Sequence, residues 1–227
     1  MTEADANAVP WPPDEWRAMQ EQASIWRARR RERPGAGTLF LLDGASCSGK
    51  STLVDRLATD PTLPIELVPR CSTRERRPDD QPRREYVFVS RDQFLAMARA
   101  GGFIEYRDFQ FGMSYGLPWA EAFAPLLEGR HGLAVINLGN VRHVKMLVPE
   151  AVTVLVDAPL ATIRHRLIAR GVNTQEQIDE RLANAARVET YRPFYDYVVR
   201  NDDGTLTDAQ ESLRRLILSR TGAIAPG

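Results

Sequence analysis

The octet at residues 44–51 has the residue types and the spacing of a phosphate-binding loop. It reads Gly-Ala-Ser-Cys-Ser-Gly-Lys-Ser and fits the pattern G-x-x-x-x-G-K-[ST] at every position. Gly44 and Gly49 allow the backbone to curl so that its N–H groups point at phosphate oxygens. Lys50 is expected to reach the β- and γ-phosphates of a nucleoside triphosphate, and the Ser51 hydroxyl is expected to bind Mg²⁺.

The segments on either side of the octet have the patterns that position such a loop. Residues 38–43 form a short apolar run typical of a buried parallel strand, and residues 51–58 carry apolar residues at helical spacing. A helix that begins here directs the partial positive charge of its N-terminus at the phosphates. A glycine-rich turn that fits the motif by accident would lack this context. The residues predicted to bind the nucleotide are Gly44, Ala45, Ser46, Cys47, Ser48, Gly49, Lys50, Ser51 and Thr52.

Composition and charge exclude several classes of protein. With 43% hydrophobic and 26% charged residues in 227, the chain resembles an ordinary soluble globular protein. Its formal net charge is zero, so no overall field favours nucleic acid or membrane partners. No run of 18 apolar residues and no secretory signal are present. Cys47 and Cys71 have no metal-like spacing, and a reduced, cytoplasmic location is the simpler inference.

Strand and helix patterns alternate along most of the chain. Strands are predicted at 65–68, 133–136, 152–156 and 197–199, and helices at 141–147, 160–169, 175–189 and 208–219. This alternation predicts an α/β fold of the P-loop NTPase type, with three α/β/α layers around a parallel sheet. The intervening stretch predicts strands at 84–90 and 103–106, helices at 92–100 and 119–128, and a loop at 111–118.

Residues 1–37 form an N-terminal extension before the phosphate-binding loop. A helix is predicted from a cap at Asp14 to about Arg33. One face of this helix is apolar and is expected to pack on the body of the protein or on a second copy in a homodimer. Its residues are Trp16, Met19, Ala23 and Trp26. The arginines that crowd its end are Arg27, Arg29, Arg30, Arg31 and Arg33. They could bind an anion or nucleic acid, but a solvated helix end whose cations suit the dipole is the favoured interpretation.

From about residue 38 to residue 220 the chain resembles the guanylate kinase family of nucleoside-monophosphate kinases. The motifs that carry the resemblance are 72–78 (Ser-Thr-Arg-Glu-Arg-Arg-Pro), 85–90, 103–105, 114–116, the arginines around 166–181, and 196–203. The resemblance implies a domain at 38–227, with a core at 38–70 and 130–227, a small acceptor-binding insertion at 71–129 and a mobile lid at about 170–188. It also implies ATP and Mg²⁺ as co-substrate and cofactor, and a small phosphorylated acceptor as partner.

The resemblance also assigns roles to individual residues. The residues that match those holding the acceptor's phosphate are Arg74, Arg77, Tyr86 and Tyr115. Guanidinium groups and phenol hydroxyls suit that task, because they bind several phosphate oxygens directionally. Arg166, Arg170 and Arg181 match catalytic lid arginines that close over the transferring phosphoryl group. Glu105 matches a carboxylate that reads the N–H edge of guanine.

Some positions depart from the family pattern and leave the acceptor open. Asn137 stands where the family has an aspartate near the base and metal, and Leu117 stands where a hydroxyl residue is usual. The related ribose 1,5-bisphosphate phosphokinases, which share the loop and the lid, are therefore an alternative to a GMP kinase. Guanylate-kinase-like domains also occur as non-catalytic protein-binding modules. These have typically lost phosphate-loop residues that this chain keeps, which makes that third interpretation the weakest.

Overall fold

The computed structural model describes residues 9–76, 86–108, 113–171 and 174–222. Nine β-strands run through these ranges: β1 Leu39–Asp43, β2 Ile65–Leu67, β3 Arg70–Ser72, β4 Tyr86–Phe88, β5 Phe103–Asp108, β6 Ser114–Pro118, β7 His131–Val135, β8 Val152–Asp157 and β9 Tyr197–Arg200. The first five helices of the described chain are α1 Pro13–Arg31, α2 Lys50–Ala58, α3 Arg91–Arg99, α4 Trp119–Leu127 and α5 Val141–Leu147. The others are α6 Leu160–Ala169, α7 Gln175–Ala186, α8 Val188–Tyr191 and α9 Leu206–Thr221, with a 3₁₀ turn at Arg192–Phe194. In the described chain no helix has the length and apolar character needed to cross a membrane.

The central sheet has five strands in the order β2-β7-β1-β8-β9, and all the neighbouring pairs are parallel. Because successive side chains of a strand point to opposite faces, β1 contributes to two cores. Leu39 and Leu41 pack on one side with α4, α5 and α6, while Phe40 and Leu42 pack on the other with α2 and α9. The predicted three-layer α/β/α fold is therefore confirmed.

A second sheet of four strands, in the order β4-β3-β6-β5, lies outside the alternating core. Strand β3 was absent from the sequence interpretation, and the loop predicted at 111–118 is wrong for residues 114–118, which form β6. In the fold Gly116 is required by close packing, since a Cβ there would approach the Phe103 ring to 2.8 Å. Pro118 ends the strand and precedes α4.

The helix ends predicted from capping residues are confirmed in some places and wrong in others. The Thr174 capping box is present at α7, and Ser90 forms another at α3 with Gln93. The cap predicted at Asp14 is wrong, because Pro12 occupies the N-cap position of α1 and Asp14 lies in the first turn. The helix predicted at 175–189 ends at Ala186, and a separate short helix follows. The first residues of the strand predicted at 84–90 lie outside the described residues.

The N-terminal helix α1 packs on both the core and the second sheet. Met19 and Ala23 are fully buried, and Trp26 contacts the Phe123 ring of α4 at 5.5 Å between centroids. Ahead of the helix, Trp11 is buried and donates its indole N–H to the Tyr106 carbonyl of β5 at 2.9 Å. The predicted apolar face of α1 therefore packs on the body of the same chain.

Truncation of the buried face of α1 is expected to destabilise the whole protein. Met19→Ala removes a side chain with no exposed surface and should lower the free energy of unfolding by about 2–5 kcal/mol. Ile25→Ala on the same helix removes a side chain that is 45% exposed and should change the free energy of unfolding by less than about 0.5 kcal/mol. Urea unfolding of both variants measures the difference. Equal, small changes would mean that α1 is not part of the core.

Candidate active site

The phosphate-binding loop joins the end of β1 to the start of α2, as the motif predicts. Cys47 has a φ of +63°, a left-handed conformation that is uncommon for a residue with a side chain. Gly49 has a φ of +95°, and a Cβ there would lie 2.1 Å from the Asn201 amide nitrogen. Asn201 in turn donates to the Ser48 carbonyl at 2.7 Å. The loop is thus held in its curled form by its own backbone and by the end of β9.

Lys50, the first residue of α2, folds over the loop. Its ammonium donates to the carbonyl oxygens of Gly44 and of Ala45, the latter at 2.7 Å. Asp43 is the last residue of β1 and is fully buried. Its carboxylate accepts hydrogen bonds from the Gly44 N–H at 2.6 Å and from the Tyr195 hydroxyl. These contacts hold the ammonium at the loop, where nucleotide phosphates are expected.

Burial governs the protonation of both groups. It raises the pKa of the Asp43 carboxyl to about 6, against the lowering effects of the Tyr195 hydrogen bond and the Lys50 charge. It lowers the pKa of the Lys50 ammonium to about 8, against the raising effect of Asp43. Lys50 is therefore charged below about pH 8 and loses its charge above it, within an accessible range.

The low pKa of Lys50 leads to a pH prediction. For ATP, kcat/KM reports ionisations of the free enzyme, and the neutral amine cannot bind phosphate charge. The profile of kcat/KM for ATP should therefore fall as pH rises through about 8. Steady-state rates at limiting ATP between pH 6 and pH 10 measure it. In Lys50→Arg, which stays charged, this fall should be absent from any remaining activity. A wild-type profile that is flat to pH 10 would contradict the prediction.

The three predicted lid arginines lie around the phosphate-binding loop. Arg166 on α6 donates to the Cys47 carbonyl at 3.3 Å and to the Asn201 carbonyl at 3.0 Å. Arg181 on α7 donates to the Ser46 hydroxyl at 2.9 Å. Arg170, the residue after α6, is exposed and lines the same cleft. Guanidinium groups in this arrangement can bind the oxygens of a phosphoryl group that lies above the loop.

An open cleft of about 570 Å³ lies between the loop and two of these arginines, Arg166 and Arg170. Its lining includes Lys50, Ser51 and Thr52 of α2, and the two α2 residues after Lys50 are exposed to it. Mg²⁺ usually keeps several waters and takes few protein ligands beside substrate phosphates. The exposed Ser51 hydroxyl at the helix start fits that requirement. The described residues contain no cluster of three or more acidic, histidine or cysteine side chains suited to a metal ion.

The second sheet supplies the residues predicted to hold the acceptor's phosphate. The strand register sets Ser72 of β3 opposite Tyr115 of β6. The Tyr86 and Tyr115 rings are 5.9 Å apart, and the Arg74 guanidinium lies 5.0 Å from the centre of the Tyr86 ring. Arg74, Tyr86 and Tyr115 therefore come together on one face. Arg77 lies outside the described residues.

Glu105 and Asn137 meet between the two sheets, in a polar cluster without exposed carboxylate surface. Glu105 is fully buried, and one of its oxygens accepts from the Asn137 and Asn140 amides, each at 2.7 Å. The other oxygen accepts from Arg70 at 3.1 Å. The predicted pair is thus brought together, and it has two partners that sequence interpretation missed.

Several residues of the site were not foreseen. Asp43, Tyr195 and Asn201 support the loop, and Arg70 and Asn140 complete the cluster at Glu105. Asp43 carried a usable signal, since an acidic residue ends an apolar strand directly before the glycine loop. The others act through contacts between residues at least 34 positions apart, which no local pattern reveals.

Comparison with known proteins agrees with this geometry. The family model described as guanylate kinase matches residues 36–220. The chain belongs to the guanylate kinase family. It is 35% identical over 168 residues to a guanylate kinase of Hahella chejuensis, covering 74% of this chain and 80% of that protein. It is 35% identical over 167 residues to a guanylate kinase of Thermus thermophilus, covering 73% of this chain and 74% of that protein.

A solved structure of a guanylate kinase from Anaplasma phagocytophilum superposes with a TM-score of 0.62 at 21% identity, covering 82% of this chain and 87% of that one. At that identity the match supports the fold. The predicted family is confirmed, and with it the prediction of an ATP-dependent phosphotransferase that acts on a small phosphorylated acceptor. The interpretation of this chain as a non-catalytic protein-binding module is not favoured.

Proposed function

We propose that this protein transfers the γ-phosphoryl group of ATP to the phosphate of GMP. The arrangement of arginines around the phosphate-binding loop carries the proposal. Arg166 and Arg181 reach loop atoms from two helices, so positive charge surrounds the position of a γ-phosphoryl group. Phosphoryl transfer needs charge stabilisation and positioning more than covalent chemistry, and this arrangement supplies both. GMP is chosen as acceptor because the similar proteins are guanylate kinases.

Each group has a proposed role in the transfer. Backbone N–H groups of residues 44–52 and the Lys50 ammonium bind the ATP phosphates, and the Ser51 hydroxyl binds Mg²⁺, which would neutralise phosphate charge. Arg166, Arg170 and Arg181 stabilise the charge that develops on the transferring group. A stretch at about 170–188 acts as the lid that brings two of them into place.

The acceptor is held by the second sheet in this proposal. Arg74, Arg77, Tyr86 and Tyr115 bind its phosphate, which then faces the γ-phosphate across the cleft. The cluster of Glu105 and Asn137 lies at the base end of the acceptor. The proposed insertion at 71–129 thus forms the acceptor site, and residues 38–70 and 130–227 form the ATP site.

Two further features belong to the proposal. The alternative acceptor, a ribose phosphate, is not favoured by the similarity to guanylate kinases. A reduced, cytoplasmic location is supported by Cys47 and Cys71, which are both free thiols.

An acceptor screen tests the proposed function. ADP formation is measured with ATP, Mg²⁺ and, in turn, GMP, AMP, ribose 5-phosphate and guanosine. GMP should give the highest kcat/KM, and guanosine should be a very poor substrate because it leaves the phosphate-binding guanidiniums unpaired. Arg77→Lys should lower kcat/KM for GMP, because an ammonium cannot reproduce the planar fork. Comparable rates with GMP and guanosine would overturn the assignment of the acceptor's phosphate site.

A further inference from the structure

A buried ion pair closes the inner end of the proposed acceptor site. Arg70 on β3 is only 8% exposed and its Nη2 lies 3.1 Å from Oε1 of Glu105, which is fully buried. Arg70 and Glu105 lie on strands of the second sheet, and Glu105 accepts from Asn137, which follows β7 of the central sheet. The pair is therefore in the gap between the two sheets.

Most of the hydrogen-bonding capacity of Glu105 is used within the protein. Oε1 accepts from Arg70, and Oε2 accepts from the side-chain amides of Asn137 and Asn140 and, at 3.4 Å, from the Asn137 backbone N–H. A carboxylate has about four acceptor positions, two on each oxygen. At most one position, on Oε1, is therefore left for an N–H of a base.

Arg70, in contrast, has a donor left over. Its Nε is buried and has no hydrogen-bond partner in the structure. Buried donors without partners are costly, and an N–H of a charged group most of all. The register sets Arg70 beside Tyr86, and its guanidinium lies 5.8 Å from the centre of the Tyr115 ring. The free donor is thus on the same face of the second sheet as the residues proposed to hold the acceptor.

We propose that Arg70 contacts the acceptor directly and selects one that presents a hydrogen-bond-accepting group at this position. Glu105 then acts as a positioning residue that fixes the guanidinium. The proposal rests on the proposed function. With GMP, the acceptor atoms O6 and N7 of guanine are the groups that a guanidinium binds best. AMP carries an amino group in place of O6. Its N–H donors would face the N–H donors of Arg70, so no hydrogen bond forms at that position.

The choice of acceptor follows from this contact. IMP keeps O6, N7 and the N1–H and lacks only the 2-amino group. The one acceptor position left on Glu105 can be filled by the N1–H, which GMP and IMP share. The kcat/KM values for GMP and IMP should therefore agree within about 5-fold, whereas AMP should be lower by about 10-fold to 100-fold, the discrimination expected of one bidentate pair. Steady-state rates with the three nucleotides at saturating ATP measure this order.

Two variants distinguish a direct contact between Arg70 and the acceptor from a role of Arg70 in neutralising the Glu105 charge. Arg70→Met leaves the Glu105 charge buried and unpaired, so loss of folding is a risk. In the double variant Arg70→Met/Glu105→Gln neither charge remains. If Arg70 contacts the acceptor, the double variant should lose the preference for GMP over AMP and raise the KM for GMP about 10-fold to 100-fold, with the KM for ATP unchanged. Arg130→Gln, which removes a surface arginine at the start of β7, is the control and should keep the wild-type order.

The outcomes distinguish the inference from the proposed function. If the double variant regains the wild-type KM and preference for GMP, Arg70 serves only to neutralise Glu105 and the inference fails. If wild type uses GMP at least about 10 times better than IMP, the 2-amino group is read and the inference fails as well. If wild type uses none of the three nucleotides but phosphorylates ribose 5-phosphate, the proposed acceptor is wrong.

Discussion

Lys50→Ala is expected to abolish phosphoryl transfer while the protein stays folded. The ammonium donates only to two loop carbonyls in the described structure, and it lines the cleft rather than either hydrophobic core. Its removal therefore leaves the packing of α2 intact, because Leu53, Val54 and Leu57 form the buried face. The lost charge is one that the transferring phosphates need in the transition state. We expect kcat/KM to fall by at least about 10³.

The measurement is ADP formation with the proposed acceptor, together with a thermal unfolding curve of each protein. Arg56→Ala is the matched control, since Arg56 is an exposed cation on the same helix and its side chain donates to the Gln210 side chain at 3.1 Å. It should keep near-wild-type activity and stability. A folded Lys50→Ala protein with wild-type activity would falsify the role of this loop in phosphoryl transfer.

Arg181→Ala should lower turnover much more than it weakens binding of either substrate. The Arg181 side chain projects from the exposed part of α7 to the Ser46 hydroxyl of the loop, at 2.9 Å. Its contact with the transferring group is expected to strengthen as negative charge develops, so the loss should appear in kcat. Removal of an arginine in this role costs about 10²- to 10⁵-fold in rate. Arg170→Ala, at the end of α6, should behave in the same way.

Steady-state kinetics with both substrates varied, at constant pH, test the lid arginines. Arg164→Ala is the control, because Arg164 is exposed on α6 and is not part of the cleft lining. It should leave kcat within about 2-fold of wild type, since an exposed arginine outside the cleft makes no transition-state contact. A variant of Arg170 or Arg181 that raises only KM, with kcat unchanged, would assign that arginine to ground-state binding.

Features encoded by neighbouring residues could be predicted from the sequence. The strand, loop and helix around residues 44–51, the parallel core and the capping box at Thr174 depend on short spacings, and the structure has them. The family followed from motifs of this kind, spread over the chain. The loop predicted at 111–118 is wrong over residues 114–118, because their pairing with β3 and β5 is a long-range contact, and Gly116 is required there by tight packing against Phe103.

The pairing of distant residues could not be predicted from local patterns. Arg181 and Ser46 are 135 positions apart, and Arg70 and Glu105 are 35 apart. Such contacts depend on strand order and register, which are set by the packing of the whole chain and not by local propensity. The motifs in the sequence were enough to predict an ATP-dependent phosphotransferase with a phosphate-binding loop. Only the folded chain shows that Glu105 accepts from Arg70, Asn137 and Asn140, because a buried carboxylate requires hydrogen-bond donors within the protein.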